Sequence, residues 1–417
     1  MPLPDRPARS AAVLWLGVLL VAWAIAALSR VLPYLPTSGG DFANLHRGAA
    51  ALVAGESAYV RPELDYPPLV PVVLAPLGLL SLEAARYVWL GLSLLAVLAA
   101  MVALWRLASG DLAATCAVAV VLALDGSAIP NLALGQMNPI LLLLVALALL
   151  LHRARPAGAA AAVGCAAALK IWPGLLLLSW LPGERTARFR ATRTGLLVGS
   201  LLVALPLGVL MIATPPPHLP IAHGYWLGTP ALLNFSAPAA VLRASYGWKS
   251  ASELPRDWVD GVNSSWRLAP PRQHLSVAIS LAVLAAGLAA LWLRLRSCRR
   301  RAATTGPERS QAVDLVSALV ALALVAAPIA WYHYQLLQLP AFVLAVAVAL
   351  RRRRWGIATA LAATLLALTH HELVVAAVQL FAPHPATALY LTGILLPLLG
   401  AAWYVSRLAA IGDRQAG

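Results

Sequence analysis

From Ala11 to Val31 the chain runs through 21 residues with a single charge, Arg30. A helix of about 20 apolar residues crosses the ~30 Å hydrocarbon core of a bilayer. Comparable runs recur along the chain, and only 11% of its residues are charged, against about 25% in a soluble domain. A lipid core leaves no water to satisfy backbone polar groups, so an uninterrupted apolar run must fold as a helix. The expected fold is therefore all-α, a polytopic transmembrane helical bundle. The net charge of +15 is not a nucleic-acid signal. The basic residues stand in short clusters between apolar runs, with no basic and aromatic binding face.

The basic clusters orient the chain, because Lys- and Arg-rich loops stay in the cytoplasm. They are Arg6 and Arg9, Arg153 and Arg155, Arg185 to Arg193, Arg294 to Arg301, Arg351 to Arg354, and Arg407 with Arg414. Spans are expected at 11–31, 84–106, 112–130, 137–151, 194–213, 275–296, 312–330, 335–350, 356–370 and 386–406. The segment 157–182 lies between two basic clusters and reads as a hairpin of two short helices, broken near Lys170, Ile171, Trp172 and Pro173. This gives about twelve crossings with both termini cytoplasmic. Residues 68–80 are too short for a comfortable span and read as a re-entrant or short outer helix. The alternative is that they cross, which places Arg106 and Asp111 outside. One long outer loop covers 214–274. Residues 1–410 form a single membrane domain and 411–417 a disordered tail.

The first span is longer than a signal-peptide core, and no clear small-residue cleavage site follows it. The chain has only two lysines, Lys170 and Lys249, among 31 basic residues. With its abundant alanine, that bias points to a GC-rich bacterial genome, hence a bacterial plasma membrane. Three scattered cysteines form no metal or disulfide spacing.

In this topology the unusual polar residues collect on the outer face. They are Asp41, His46 and Arg47; Tyr66; Gln136 and Asn138; Lys170; Asn234; His333; and His370, His371 and Glu372. Each has a plainer reading. Asp41 caps the helix that follows it. Lys170 snorkels to the interface, although an ammonium at membrane depth costs about 2.5–3.5 kcal/mol and is better placed facing a cavity or an anion. Trp331, Tyr332 and Tyr334 fit an interfacial aromatic belt. Gln136 and Asn138 cap a helix beside Pro139. His370 to Leu373 lacks the second histidine of a zinc-binding H-E-x-x-H. One carboxylate with scattered histidines makes a poor Mg²⁺ or Mn²⁺ site, so neither metal nor cofactor is expected.

Five segments occur in a recognisable order: GGDFANLHRGAAALVAGESAYV, LDYPPLVPVVLAPLGLL, LGQMNPILLLLVALALL, AAALKIWPGLLLLSWL and APIAWYHYQLLQLPAF. Over about residues 10–350 the chain resembles glycosyltransferase family 87, the polyprenyl-phosphate-mannose-dependent α-mannosyltransferases of the GT-C superfamily. One departure is visible: family members often carry two adjacent histidines after the distal tryptophan, and here the pair is His333 and Tyr334.

The resemblance implies an enzyme that takes a hexose, mannose by expectation, from a polyprenyl-phosphate donor. The sugar passes with inversion to a cell-envelope glycolipid or glycan on the outer face. Asp41 matches the family's first-loop acid and would be the general base. Lys170 and His333 would hold the donor phosphate, with Arg47 a weaker contributor. His46, Tyr66, Gln136 and Asn138 would complete the substrate site. A polytopic transporter or lipid-linked-sugar flippase is the other reading, favoured by the short hairpin at Lys170. A transporter is expected to show two related halves, and no such repeat is evident.

Overall fold

The computed structural model describes residues 6–35, 40–60, 64, 66–152, 154–180, 185–219, 238, 241, 270–301, 309–326 and 332–370. Among them every regular element is helical. In chain order these are α1 (Arg6–Val31), α2 (Gly40–Val53), α3 (Leu69–Gly78), α4 (Leu82–Leu107), α5 (Leu112–Leu124), α6 (Ala128–Leu134), α7 (Asn138–Leu151) and α8 (Pro156–Leu169). There follow α9 (Arg185–Ala213), α10 (Pro270–Arg301), α11 (Arg309–Ala326), α12 (Leu339–Arg351) and α13 (Trp355–Thr369). Three 3-10 helices are described: Leu32–Tyr34 follows α1, and Trp172–Trp180 and Tyr332–Gln338 precede α9 and α12.

Five of these helices are long and apolar enough to cross a membrane, or six if α5 and α6 together count as one bent span. The twelve expected crossings are not reached among the described residues. The last of them, 386–406, lies outside the described residues, as do most of 214–274 and the whole tail 411–417. Several shorter apolar helices (α3, α7, α8 and α13) have 10 to 17 residues.

One expected span is corrected. Residues 112–130 do not form a straight helix: α5 and α6 meet at 60°. The cause is local. Asp125 leaves the helix with extended backbone. Its carboxylate accepts from the Ser127 amide at 3.0 Å, the Ser127 hydroxyl at 2.6 Å and the Ala128 amide at 2.9 Å. It thereby caps a new helix start, a task suited to a carboxylate.

The core lies where α4, α7, α8, α5 and α12 pack together. Met101, Leu104, Leu141, Leu142, Val145 and Phe342 are buried there. In the absence of a hydrophobic drive between helices in lipid, small residues that let backbones approach supply the packing. At the α8–α9 contact a Cβ on Gly164 would fall 2.5 Å from the Gly195 carbonyl oxygen. By contrast, most of the membrane-length stretches of α9 and α10 face outward, and their exposed Leu, Ile and Trp side chains suit a lipid surface.

The ends of the helices separate two chemistries. Arg106, His152 with Arg155, and Arg351 stand at the ends of α4, α7 and α12. Arg351 Nε donates to Asp111 Oδ2 at 2.5 Å and its Nη2 to the Ala108 carbonyl, which ties α12 to the α4–α5 turn. The starts of α2 and α7, the end of α8 and the 3-10 helix before α12 carry the other polar groups.

Candidate active site

Asp41 lies in the first turn of α2. Its placement depends on a close approach between α2, α4 and the α6–α7 turn. Phe42 stacks on Trp89 with ring centroids 5.8 Å apart and planes 16° from parallel. Trp89 Nε1 donates to the Gly135 carbonyl at 2.9 Å. Gly135 ends α6 in the left-handed region, with φ +67°, where a residue without Cβ is unstrained. A Cβ there would also stand 2.5 Å from Phe42 Cβ. Glycine at 135 is thus required twice, by the backbone and by the neighbour.

The turn this builds delivers Gln136 to Asp41. Gln136 Nε2 donates to Asp41 Oδ2. Its Oε1 accepts from the Tyr66 hydroxyl at 3.1 Å, and the Tyr66 carbonyl accepts from the Tyr59 hydroxyl at 2.7 Å. Tyr59, Tyr66 and Gln136 are all buried. One amide therefore bridges the acid and a tyrosine that is itself held in place.

Lys170 reaches the same site from the far end of α8. Its backbone is extended, between α8 and the 3-10 helix Trp172–Trp180. The Nζ atom is shielded from solvent. It lies 3.6 Å from the Tyr334 ring centroid and 5.7 Å from that of Tyr66. An ammonium on an aromatic face gains about 2 kcal/mol when desolvated. The cation is thus held by two rings.

Charges in this arrangement influence each other. Burial pushes the Asp41 carboxyl above its ordinary value, while the Lys170 charge and the Gln136 hydrogen bond pull it down and offset only part of that rise. A carboxylate tuned upward in this way is a better proton acceptor than an exposed one. A half-buried acid, its amide, a cation and two aromatic rings together make a constellation able to accept a proton at one side and hold an anion at the other.

The structure therefore brings together Asp41, Tyr66, Gln136 and Lys170 of the residues expected from sequence. Three others are placed apart. His46 is buried with Nε2 3.0 Å from the Leu80 carbonyl, joining α2 to the end of α3. Arg47 is exposed and donates to Asn44 Oδ1. Asn138 is fully buried and bonded to Asn131, behind Gln136. His333 falls on the 3-10 helix one residue before Tyr334, and its side chain lies outside the described residues, as do Asn234, His371 and Glu372. No group of three or more His, Cys, Asp or Glu side chains suited to a metal ion occurs among the described residues.

Two residues were not found by sequence reasoning. Sequence alone assigns Tyr334 to an aromatic belt, whereas in the structure its ring faces Lys170. Asp125 carried no recognised motif, yet it forms the buried elbow between α5 and α6; the Asp-Gly-Ser break inside an apolar run was the available signal.

Comparison with known proteins adds one positive finding. The model of glycosyltransferase family 87 matches residues 64–307, more than half of the chain. That segment contains Tyr66, Gln136, Asn138 and Lys170, while Asp41 and His333 lie on either side of it. No curated protein matches the chain.

Proposed function

The chain belongs to glycosyltransferase family 87 and is a membrane glycosyltransferase, and we propose that it transfers mannose from polyprenyl phosphate mannose to a cell-envelope glycolipid or glycan. The observation that carries this reading is the meeting of Asp41 with Lys170 around Gln136 and Tyr66.

The reaction assigns each group a role. The acceptor hydroxyl oxygen attacks the anomeric carbon, and its proton passes to Asp41 Oδ. The bond from the anomeric carbon to the phosphate oxygen breaks on the opposite face, and its electron pair stays with that oxygen. The product therefore has the inverted configuration. The donor is a phosphodiester with one negative charge, and the leaving polyprenyl phosphate gains a second as the bond breaks. A fixed cation beside it then binds the transition state more tightly than the ground state, which is what raises a rate. Lys170 supplies that cation, and His333 on the adjoining 3-10 helix is its proposed companion. Phosphate leaves readily, so no second carboxylate acid is required, unlike the acid and base pair of an inverting glycosidase. Gln136 orients Asp41, and Tyr66 orients Gln136.

We place the site on the outer face of a bacterial plasma membrane. The helices α4, α7, α8 and α12 run between the site and ends bearing Arg106, Arg155 and Arg351. Positive ends stay inside, so the other ends face out.

The test is transfer of radiolabelled mannose from polyprenyl phosphate mannose in membranes holding the wild-type chain or Asp41→Asn. A loss of general-base catalysis lowers the rate about 10²–10⁴-fold. Undiminished transfer by Asp41→Asn removes Asp41 as the base.

A further inference from the structure

The turn that carries Gln136 is only three residues long, Gly135 to Met137, between the end of α6 and the start of α7. Its two flanks are joined by side chains. Asn138 Nδ2, at the start of α7, donates to Asn131 Oδ1, on α6, at 2.8 Å. Asn131 Nδ2 donates to the Ser127 carbonyl at 2.8 Å. The Asn131 carbonyl accepts the Gln136 amide at 2.9 Å. Asn131, Asn138 and Ser127 have no exposed surface. Ser127 in turn is fixed by the Asp125 carboxylate.

We propose that the Asn131–Asn138 pair is a positioning staple for the base: it closes the turn so that the Gln136 amide stays on the Asp41 carboxylate. The proposal rests on the reading of Asp41 as the base. Packing alone does not account for the pair. Asn138 Oδ1 is buried and has no hydrogen-bond partner among the described residues. Such an orphaned acceptor is costly to bury. A leucine at this position would avoid that cost and would be at home in an apolar core. The amide is explained by what its other end does, which is to hold Asn131 across the turn. Buried polar networks of this kind specify one geometry where apolar packing tolerates several.

Loss of the staple acts on Asp41 through Gln136 only. A hydrogen bond donated to a carboxylate favours the ionised form, so its loss raises the protonation midpoint. Ionisable groups also stand on neighbouring elements and on α2 itself. Lys170 approaches from α8. Arg86 of α4 lines the crevice beside Gly40 and Phe42, with Nη1 donating to the Leu35 carbonyl at 2.8 Å. His46, on α2 itself, is tied to the Leu80 carbonyl. The Asn138 side chain donates to Asn131, so the variants below leave these groups in place.

The experiment titrates Asp41 by the infrared carboxylate band of full-length protein in lipid nanodiscs, with Asp41→Asn subtracted to isolate its signal. No substrate is needed, so the result is independent of whether the sugar-transfer reading holds. Gln136→Leu and Asn138→Ala should each raise the Asp41 midpoint. In the double variant the shift should equal that of Gln136→Leu alone. A role limited to stability lowers the melting temperature of Asn138→Ala but leaves the midpoint where it is in the wild type, and that outcome overturns the proposal. Additive shifts in the double variant overturn it too, because they show a route to Asp41 that avoids Gln136. If Asn138→Ala fails to reach the membrane, Asn138→Ser, too short to reach Asn131, carries the same comparison. Sugar transfer by the wild-type sample separates the two readings: a wild-type protein that transfers no mannose, with midpoints still shifted in the variants, sinks the proposed reaction and leaves the staple standing.

Discussion

Replacing Lys170 with methionine keeps the length of the side chain and removes its charge. Two consequences can be worked from the structure. The first concerns the fold. Lys170 Nζ is shielded from solvent and rests on the Tyr334 ring at 3.6 Å. A charge held at such a place costs about 2.5–3.5 kcal/mol on insertion scales, and the rings return about 2 kcal/mol of it. The attraction to the Asp41 carboxylate offsets part of the remainder, so removal of the charge should change folding stability by about 1 kcal/mol or less. The second concerns the donor. A hydrogen bond between a charged pair contributes about 1.5–3 kcal/mol. With tenfold per 1.4 kcal/mol, the donor KM should rise roughly 10- to 150-fold. The turnover number should fall as well, because the charge on the leaving phosphate grows in the transition state. The assay is initial-rate kinetics against polyprenyl phosphate mannose, with thermal unfolding of the same preparation. A stable Lys170→Met protein with unchanged donor KM and kcat refutes the phosphate role. A protein that fails to fold refutes the argument that the charge is held at net cost.

Three further outcomes are expected. Gly135→Ala places a Cβ at φ +67° and 2.5 Å from Phe42 Cβ; it should destabilise the chain by about 1–3 kcal/mol and lower transfer, read by thermal unfolding and rate together. Gly164→Leu should separate α8 from α9, given the 2.5 Å approach to the Gly195 carbonyl oxygen, and show as loss of folded protein in detergent. Asp111→Asn should lower stability by about 1 kcal/mol or less with sugar transfer unaffected, because its pair with Arg351 is partly exposed. Burial pushes the Asp111 carboxyl up, but the Arg351 and Ala114 hydrogen bonds and the Arg351 charge hold it below its ordinary value. The wild-type contribution is therefore present above the ordinary value and lost as pH falls through the lowered one. A pH scan of melting temperature for wild type and Asp111→Asn checks this.

The helical class and much of the site were legible because each rests on a local signal. An apolar run such as Leu82–Leu107 has one fold in lipid, and a lone lysine between AAVGCAAAL and IWPGLLLL must be there for a reason. The Gln-Met-Asn-Pro turn announced a break, but not which amide faced Asp41. Gln136 and Asn138 are equal by composition, and only the three-dimensional turn sends one to the carboxylate and the other to Asn131. Tyr334 was obscured for a related reason. An aromatic at a span end has a ready interfacial explanation, and the meeting with Lys170 joins residues 164 positions apart. The elbow at Asp125 is hidden in the sequence because apolar residues continue on both sides and hydropathy alone favours a straight span.

The surroundings of Asp41 have opposite consequences for activity and for stability, and the pair of effects makes a final test. Its carboxyl is raised because burial outweighs the help of Lys170 and Gln136. In the folded state the group holds its proton more tightly than in the unfolded chain. Its contribution to stability is therefore full below the ordinary carboxylate value and lost as pH rises through the raised one. Transfer requires the ionised form and so should rise over the same interval. The acid limb of the rate profile should then coincide with the fall in melting temperature attributable to Asp41. Asp41→Asn should remove both, leaving a flatter dependence of melting temperature on pH together with the loss of transfer. The measurement is a parallel pH scan of initial rate and thermal unfolding for wild type and Asp41→Asn. If the acid limb sits at the ordinary aspartate value, or if Asp41→Asn leaves the pH dependence of unfolding unchanged, Asp41 is not a base tuned by its surroundings.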